Sequence, residues 1–357
     1  MGVNLTPIVV KRALSLRDLR GKSLAVDANN YLYQFLSLVR TRDGTPLKDS
    51  HGNITSHLSG LLFRSTRLIH EFNIDLIFVF DGRPPALKEQ EIKKRREQRE
   101  KALSEWQKAL RAQDYDRAFS KAVMSSRLTY SMTEDAKRLL TLLGIPHVQA
   151  PGEAEAQTAF MAAQGDVWAA SSKDYDCLLF GAPRLLRFLT IYGQEYLPSK
   201  GIGRPTKPEL ITLDQLLTHN GITRAQIVDL AILVGTDFDE GIRGVGPKTA
   251  LKLVKQYGRI ENLPSNLALK VPPCYKEVRE IYLNPETTTQ YSLGYGCPQE
   301  DELFHFLCNQ RDFAPERVET AVQRMREAYR RKRQTGLENW LSSPKSQKTT
   351  EKRQKII

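Results

Sequence analysis

The sequence predicts an α/β protein, a mixed and largely parallel twisted sheet with helices on both faces. Two observations carry this. Short apolar runs, Ser23-Leu24-Ala25-Val26, Leu76-Ile77-Phe78-Val79-Phe80 and Val167-Trp168-Ala169-Ala170, read as buried strands alternating with helical stretches. Each run gives way to acid: Asp27, Asp81, and a loop with Asp174 and Asp176. In open sheets of this kind ligands sit outside the carboxyl ends of the strands, so these acids should share one crevice.

Segment 3–10 is apolar and reads as a buried terminus. After Pro84-Pro85, which mark a turn, Lys88 to Lys121 is almost free of Gly and Pro and rich in charge. It is helical by propensity and fits a solvated hairpin; sustained heptads, which a coiled coil needs, are absent. Lys88, Lys93, Lys94, Arg95, Arg96 and Arg99 make it basic. Glu153 and Glu155 follow the Pro151-Gly152 turn at a helix start. In a regular helix they would diverge, but in a half-formed first turn both can face the crevice. Taken singly, each is also explained by compensation of the helix macrodipole. The stretch 204–260 reads as mostly helical, and 261–333 as further helices ending in Arg330-Arg331-Lys332-Arg333. Residues 342–357 have little to bury and should be disordered. No internal repeat is present.

The chain has 357 residues, 40% of them hydrophobic, enough for one large domain or two intimate ones. A formal net charge of +12 suits a polyanionic partner, nucleic acid first, with a solubility surplus as the bland reading. The 4 cysteines contain no C-x-x-C pair, which argues against zinc and suits a reducing cytosol or nucleus. No apolar run approaches the roughly 20 residues of a membrane span, and no secretory signal is expected. The match of Met1-Gly2 with Thr6 to an acylation pattern, and of Asn53-Ile54-Thr55 to a glycosylation sequon, reads as chance.

Gathered carboxylates repel one another and shift their pKa values upward unless cations intervene. Oxygen ligands suit Mg²⁺ or Mn²⁺. Two such ions about 4 Å apart are a known arrangement for phosphodiester cleavage. No His lies near these motifs, which argues against a zinc hydrolase.

The segment from Gly235 to Ala250 has the wrong glycine order for a dinucleotide fingerprint, and Pro247 before Lys248 rules out a Walker A loop. It suits a helix–turn–helix whose Gly244 and Gly246 admit a phosphate, with Lys248, Lys252 and Lys255 nearby. An ordinary tight helix connection is the other reading.

Several stretches together carry a resemblance: AVDANNYLYQFL at 25–36, ITSHLSG at 54–60, FVFDGRPPALK at 78–88, APGEAEAQ at 150–157, SSKDYDCLLFG at 171–181 and LVGTDFDEGIRGVGPKTALKL at 233–253. With Met1-Gly2-Val3, they resemble the flap endonucleases of the 5′-nuclease superfamily over nearly the whole chain. The resemblance implies a structure-specific nuclease that cuts 5′ flaps from branched DNA in replication and repair, with 5′–3′ exonuclease activity. It implies that Asp27, Asp81, Glu153, Glu155, Asp174, Asp176 and Asp237 hold two Mg²⁺ ions, directly or through water, with Mn²⁺ able to substitute. Asp237 enters the set only through this match.

By the same resemblance, Lys88 and Arg95 contact the scissile phosphate and Tyr33 stacks near the attacked nucleotide. Gly2 is a buried, processed terminus, and 82–130 is a helical arch for the single-stranded flap. The glycine turn is a helix–two-turn–helix for duplex DNA, often with K⁺. Thr55 and Arg64 fall in the region meeting the upstream duplex. The implied organisation is a nuclease domain over residues 1–333. Residues 1–100 form its N-terminal region, residues 131–260 an intermediate region holding the helix–two-turn–helix near 235–260, and residues 261–333 the C-terminal helices.

The short spacing between Asp81 and Glu153 speaks against the excision-repair relatives, and the arch against the junction-resolving ones. The brief C-terminal extension is similar to archaeal members, implying a cytoplasmic, nucleoid-associated enzyme; a eukaryotic one would be nuclear. Gln334, Leu337, Trp340 and Leu341, spaced Q-x-x-L-x-x-W-L, resemble the sliding-clamp peptide of replication proteins, which forms a short 3₁₀ turn. A C-terminal helix packing Leu337 and Trp340 on the body is the alternative. Asn29-Asn30 after Asp27 departs from the family pattern. Other classes considered are an Asp-rich RNase or phosphatase and a non-catalytic DNA-binding scaffold.

Overall fold

A computed structural model describes residues 2–189, 195–197, 202–204 and 206–341, with side chains as far as Gln334 except in 195–197 and 202–204. The strands are β1 (Arg12–Ala13), β2 (Ser23–Asp27), β3 (Asp75–Phe80), β4 (His147–Gln149), β5 (Ala169–Ser171), β6 (Arg184–Arg187), β7 (Glu195–Leu197), β8 (Ile202–Arg204) and β9 (Glu209–Thr212). The first helices are α1 (Ala28–Leu38), α2 (Ser56–Glu71), α3 (Glu89–Arg111), α4 (Tyr115–Met124), α5 (Tyr130–Leu142), α6 (Ala154–Gln164) and α7 (Asp176–Leu179). The later ones are α8 (Leu213–Asn220), α9 (Arg224–Val234), α10 (Pro247–Tyr257), α11 (Ser265–Ala268), α12 (Tyr275–Leu283), α13 (Glu300–Phe304) and α14 (Pro315–Leu341).

Seven strands form one sheet in the order β1-β9-β6-β5-β2-β3-β4. Neighbours from β6 to β4 are parallel, while β9 runs antiparallel to β6 and β1 antiparallel to β9. The mixed, largely parallel sheet is therefore as expected. Its alternation places Leu24, Val26, Leu76 and Phe78 against α1, α2, α5 and α14, and Ala25, Ile77 and Val79 against α6. Both faces are covered, which is why β2 and β3 read as unbroken apolar runs. Val3, Leu5 and Ile8 are buried, as expected of the terminus, and join a third cluster with α7, α9, α10 and α12.

The expected hairpin is present: α3 and α4 pack together across a short turn at 112–114. Its far end is pinned to the loop after α1, where the Trp106 indole donates to the Asp43 carbonyl at 3.2 Å and Arg40 to Ser126 Oγ at 2.8 Å.

Three readings need correction. The third strand is Ala169–Ser171 rather than 167–170, because Gly165 ends α6 in a left-handed cap and the chain turns through 166–168 before joining the sheet. Helical content after residue 204 is interrupted by β9, which pairs with β6 through alternating Leu210 and Ile211. Residues 334–341 do not form a 3₁₀ turn: the α14 backbone continues through Leu341, so helix runs across the expected boundary at Arg333. Gln334 is exposed; the side chains of Leu337, Trp340 and Leu341, and the whole of 342–357, lie outside the described residues.

Candidate active site

β2 lies between β5 and β3, so the ends of three adjacent parallel strands deliver Asp27, the loop with Asp174 and Asp176, and Asp81 to one edge of the sheet. Asp27 also N-caps α1, its Oδ1 accepting from the Asn30 amide N–H at 3.0 Å. Glu153 N-caps α6 and Glu155 lies in its first turn, as expected. A close backbone approach brings this turn to the strand edge. Gly82 N–H donates to the Gly152 carbonyl at 2.6 Å, and any Cβ at Gly82 would stand 2.2 Å from the Ala150 carbonyl oxygen. The result is a bond from Ala154 N–H to Asp81 Oδ1 at 2.8 Å.

Asp237 reaches the same crevice from the turn after α9, tied to the arch by Arg95 Nη2 at 2.7 Å and Lys88 at 3.6 Å. Lys88 also pairs with Glu153. The arch and the glycine turn are joined again by Lys94 and Glu240 at 2.6 Å. Tyr33, half-buried on α1, carries the Arg99 guanidinium 5.1 Å above its ring. Gly2 lies against Asp176: an added Cβ would be 2.5 Å from Oδ2, and Val3 N–H donates to Oδ1 at 3.2 Å. The N-terminal segment therefore forms one wall of the site, and a side chain at residue 2 would displace the Asp176 carboxylate.

Burial pushes the Asp27 carboxyl up to about 8, with Asp81 adding to the effect and the Asn30 N–H opposing it. Asp176 is likewise pushed up to about 8 by burial and then by Asp237 and Asp174. Glu155 is raised by burial, Asp176 and Asp174, and Glu153 by burial that Lys88 only partly offsets. Burial works against ionisation of Asp237 too, but Lys88 and Arg95 outweigh it and hold that carboxyl below its usual range. Burial alone would push the Lys88 amine down; Glu153 and Asp237 reverse this and raise it.

Among the described residues, no three His, Cys, Asp or Glu side chains yet converge as a finished metal shell. The donor set nonetheless fits hard divalent cations. It is made of carboxylate oxygens, and Asp27, Glu155 and Asp176 within it are raised by burial first and by their carboxylate neighbours second.

Several supporting residues escaped the sequence reading. Ser172 Oγ lies 3.0 Å from Glu155 Oε1 and 3.4 Å from Asp27 Oδ2. Arg187 donates to the Lys173 carbonyl at 2.7 Å and to Tyr175 OH at 2.6 Å, bracing the loop that carries Asp174 and Asp176. Asn29 and Asn30 bind Asp81 and Asp174. A polar pair just after a strand-end acid was the only local signal for any of them.

Other expected residues lie outside the crevice. Lys248 and Lys252 are exposed on α10, which Gly246 N-caps and Pro247 begins. Gly244 has φ of 85°, which favours glycine. Gly246 has φ of −93° and nothing within 4 Å of an added Cβ, so neither backbone nor packing demands glycine there. Thr55 is buried at the start of α2, and Arg64 is half-buried within that helix.

The XPG N-terminal domain model matches residues 1–102 and the XPG I-region model residues 144–237. The chain is 46% identical to flap endonuclease 1 of Pyrococcus abyssi over 97% of its own length and 100% of that relative. It is 47% identical to flap endonuclease 1 of Hyperthermus butylicus over 96% and 99%. The solved flap endonuclease-1 of Methanococcus jannaschii, 39% identical, superposes with a TM-score of 0.73 over 93% of this chain and 100% of that one. With every expected acid present and the fold shared, the chain belongs to the flap endonuclease family.

Proposed function

We propose that the acid crevice is a two-Mg²⁺ centre for cleavage of 5′ flaps, with Mn²⁺ able to replace Mg²⁺. By family the chain is a structure-specific 5′ flap endonuclease, a metal-dependent phosphodiester hydrolase of DNA replication and repair. One observation supports the metal reading: carboxylates meet at three adjacent strand ends, and burial, with neighbouring carboxylates adding to it, raises Asp27, Glu155 and Asp176. Asp27, Asp81, Glu153, Glu155, Asp174, Asp176 and Asp237 would hold the ions. Bound there, they supply Lewis acidity toward the phosphate and activate water.

The chain's own residues do the rest. Lys88 and Arg95 enter from the arch, where their charge stabilises the phosphate as negative charge develops. Tyr33 offers an aromatic face to the nucleotide beside the cut. Gly244 and Gly246 let a duplex phosphate approach the start of α10, with Lys248 and Lys252 beside it and K⁺ as a companion ion. Thr55 and Arg64 mark the region assigned to the upstream duplex. Gln334, Leu337, Trp340 and Leu341 would engage a sliding clamp, and likeness to archaeal relatives supports a cytoplasmic, nucleoid-associated enzyme.

A labelled double-flap DNA tests the reaction. Cleavage near the flap base in Mg²⁺, none in EDTA, and little action on single-stranded RNA or a phosphomonoester are expected. Cleavage that persists in EDTA would refute the metal centre. For the clamp, retention should fall for Trp340→Ala relative to wild type; equal retention would rule that contact out.

A further inference from the structure

We infer that Asn29 is a positioning residue that presets the Asp81 carboxylate for a divalent ion, an inference resting on the metal centre proposed above. Its side-chain Nδ2 donates to Asp81 Oδ2 at 2.5 Å. The next residue does the equivalent on the other side, with Asn30 Nδ2 donating to Asp174 Oδ2 at 3.2 Å. Gln34, one turn on, donates to Asn30 Oδ1 at 2.5 Å and fixes that amide in turn. Consecutive residues on a helix point about 100° apart. Since α1 begins at the end of β2, which lies between β5 and β3, its first turn can reach β3 on one side and the loop after β5 on the other.

The chemistry of the amides matters as much as their reach. An ionised carboxylate only accepts hydrogen bonds, so the amide must present its N–H to Asp81. Asn29 Oδ1 is then left buried and without a partner among the described residues. Retaining a buried, unpaired acceptor is destabilising, so a packing role alone favours an apolar side chain. Asp81 itself is exposed and repels Asp27. Free to rotate, it would swing away from its neighbour. Ala154 N–H on Oδ1 and Asn29 on Oδ2 hold one oxygen each and leave each with a further lone-pair direction for an ion. A lysine could hold the carboxylate as firmly but would cancel its charge. An amide fixes the geometry and leaves the negative potential intact.

The test compares wild type, Asn29→Leu, Asn29→Ser and Asp81→Ala. Mn²⁺ is titrated by electron paramagnetic resonance without DNA, and thermal midpoints are measured without metal. Residues that orient metal ligands typically contribute 10–100-fold in affinity, so Asn29→Leu should weaken Mn²⁺ binding by about 10-fold or more. Its metal-free midpoint should hold or rise, since the unpaired acceptor is gone. The Mg²⁺ concentration giving half-maximal single-turnover cleavage should rise in parallel, with flap affinity in Ca²⁺ unchanged. Asn29→Ser, which keeps a short donor, should fall between wild type and Asn29→Leu. Wild-type Mn²⁺ affinity in both Asn29 variants, alongside weakened binding in Asp81→Ala, would overturn the role of Asn29 alone. Equal affinity in wild type and Asp81→Ala would overturn the metal centre as well.

Discussion

On the strand side of the crevice, Asp27, Asp81 and Asp174 are held by neutral donors: two backbone N–H groups, two side-chain amides and a serine hydroxyl. On the arch side, Glu153 and Asp237 are held by the cations Lys88 and Arg95. Neutral donors fix direction without supplying positive charge, so the strand side presents oriented carboxyl oxygens on a sheet edge. Cations remove charge, and these two stand at the start of an arch pinned at its far end: Lys88 just before α3 and Arg95 within it. If Glu153 and Asp237 hold an ion as proposed, that ion would compete with Lys88 and Arg95 for them, and the two side chains would then be available to the phosphate.

The largest effect should come from removing the strand-side carboxylates. Asp81→Ala and Asp174→Ala should abolish cleavage while flap binding persists, because duplex contacts elsewhere supply affinity. Gel-shift affinity in Ca²⁺ and single-turnover rates in Mg²⁺ separate the two. Normal cleavage by Asp81→Ala would break the comparison at its base.

The arch side should respond differently. Lys88→Ala and Arg95→Ala should lower the single-turnover rate by roughly 10²–10³-fold with a much smaller loss of affinity, since their contacts strengthen as phosphate charge develops. If they instead act mainly as caretakers of Glu153 and Asp237, excess Mg²⁺ should restore the rate. A deficit that persists at saturating Mg²⁺ places them on the phosphate.

Much of this architecture was legible because its causes are local. Apolar runs marked β2 and β3 since both faces are buried, and an acid after each run marked the crevice. The Pro151-Gly152 turn placed Glu153 and Glu155 at a helix start. What escaped depends on distant partners. Asn29 and Asp81 are 52 residues apart, and Arg187 works through a carbonyl and a phenol supplied by another loop. β4 has 3 residues and takes its identity from pairing with β3, so no periodicity could reveal it. The run to Leu341 left two readings open because clamp-peptide spacing and helical propensity compete there, and its backbone is helical.

Proton linkage gives a third way to sharpen the contrast. Asp27 and Asp176 are pushed up to about 8 from an ordinary value of 3.8. Between those values the folded chain holds protons that the unfolded chain has released. Stability of the metal-free protein should therefore fall as pH rises through about 8, and level off above it. Thermal midpoints at pH 6 to 9 should decline without metal, and Mg²⁺ should reverse the decline by binding the ionised form. Asp27→Asn should flatten the slope. A slope unchanged by Mg²⁺ would mean that the raised carboxyls and the ion do not share a site.

The smallest effect is expected farthest from the crevice, at the glycine turn. Lys248 and Lys252 are exposed, unlike Lys88, which is held between two carboxylates. A surface lysine on a duplex phosphate acts by releasing a counterion, and each such contact contributes about 0.9 to the slope of log affinity against log salt. Lys248→Ala should thus flatten the salt dependence of duplex binding by roughly one unit and weaken affinity a few-fold at moderate salt. The cleavage rate at saturating DNA should stay at the wild-type value, because the lysine touches neither the ion sites nor the phosphate being cut. Lys252→Ala should behave alike, and the pair together should flatten the slope by about twice as much. Substituting Gly246 with Ala adds a Cβ into open space, so it should leave the fold intact yet weaken duplex binding if a phosphate lies against that backbone. Unchanged slopes in the double lysine variant, with full affinity in Gly246→Ala, would reduce the turn to an ordinary helix connection and leave the crevice and arch to carry recognition alone.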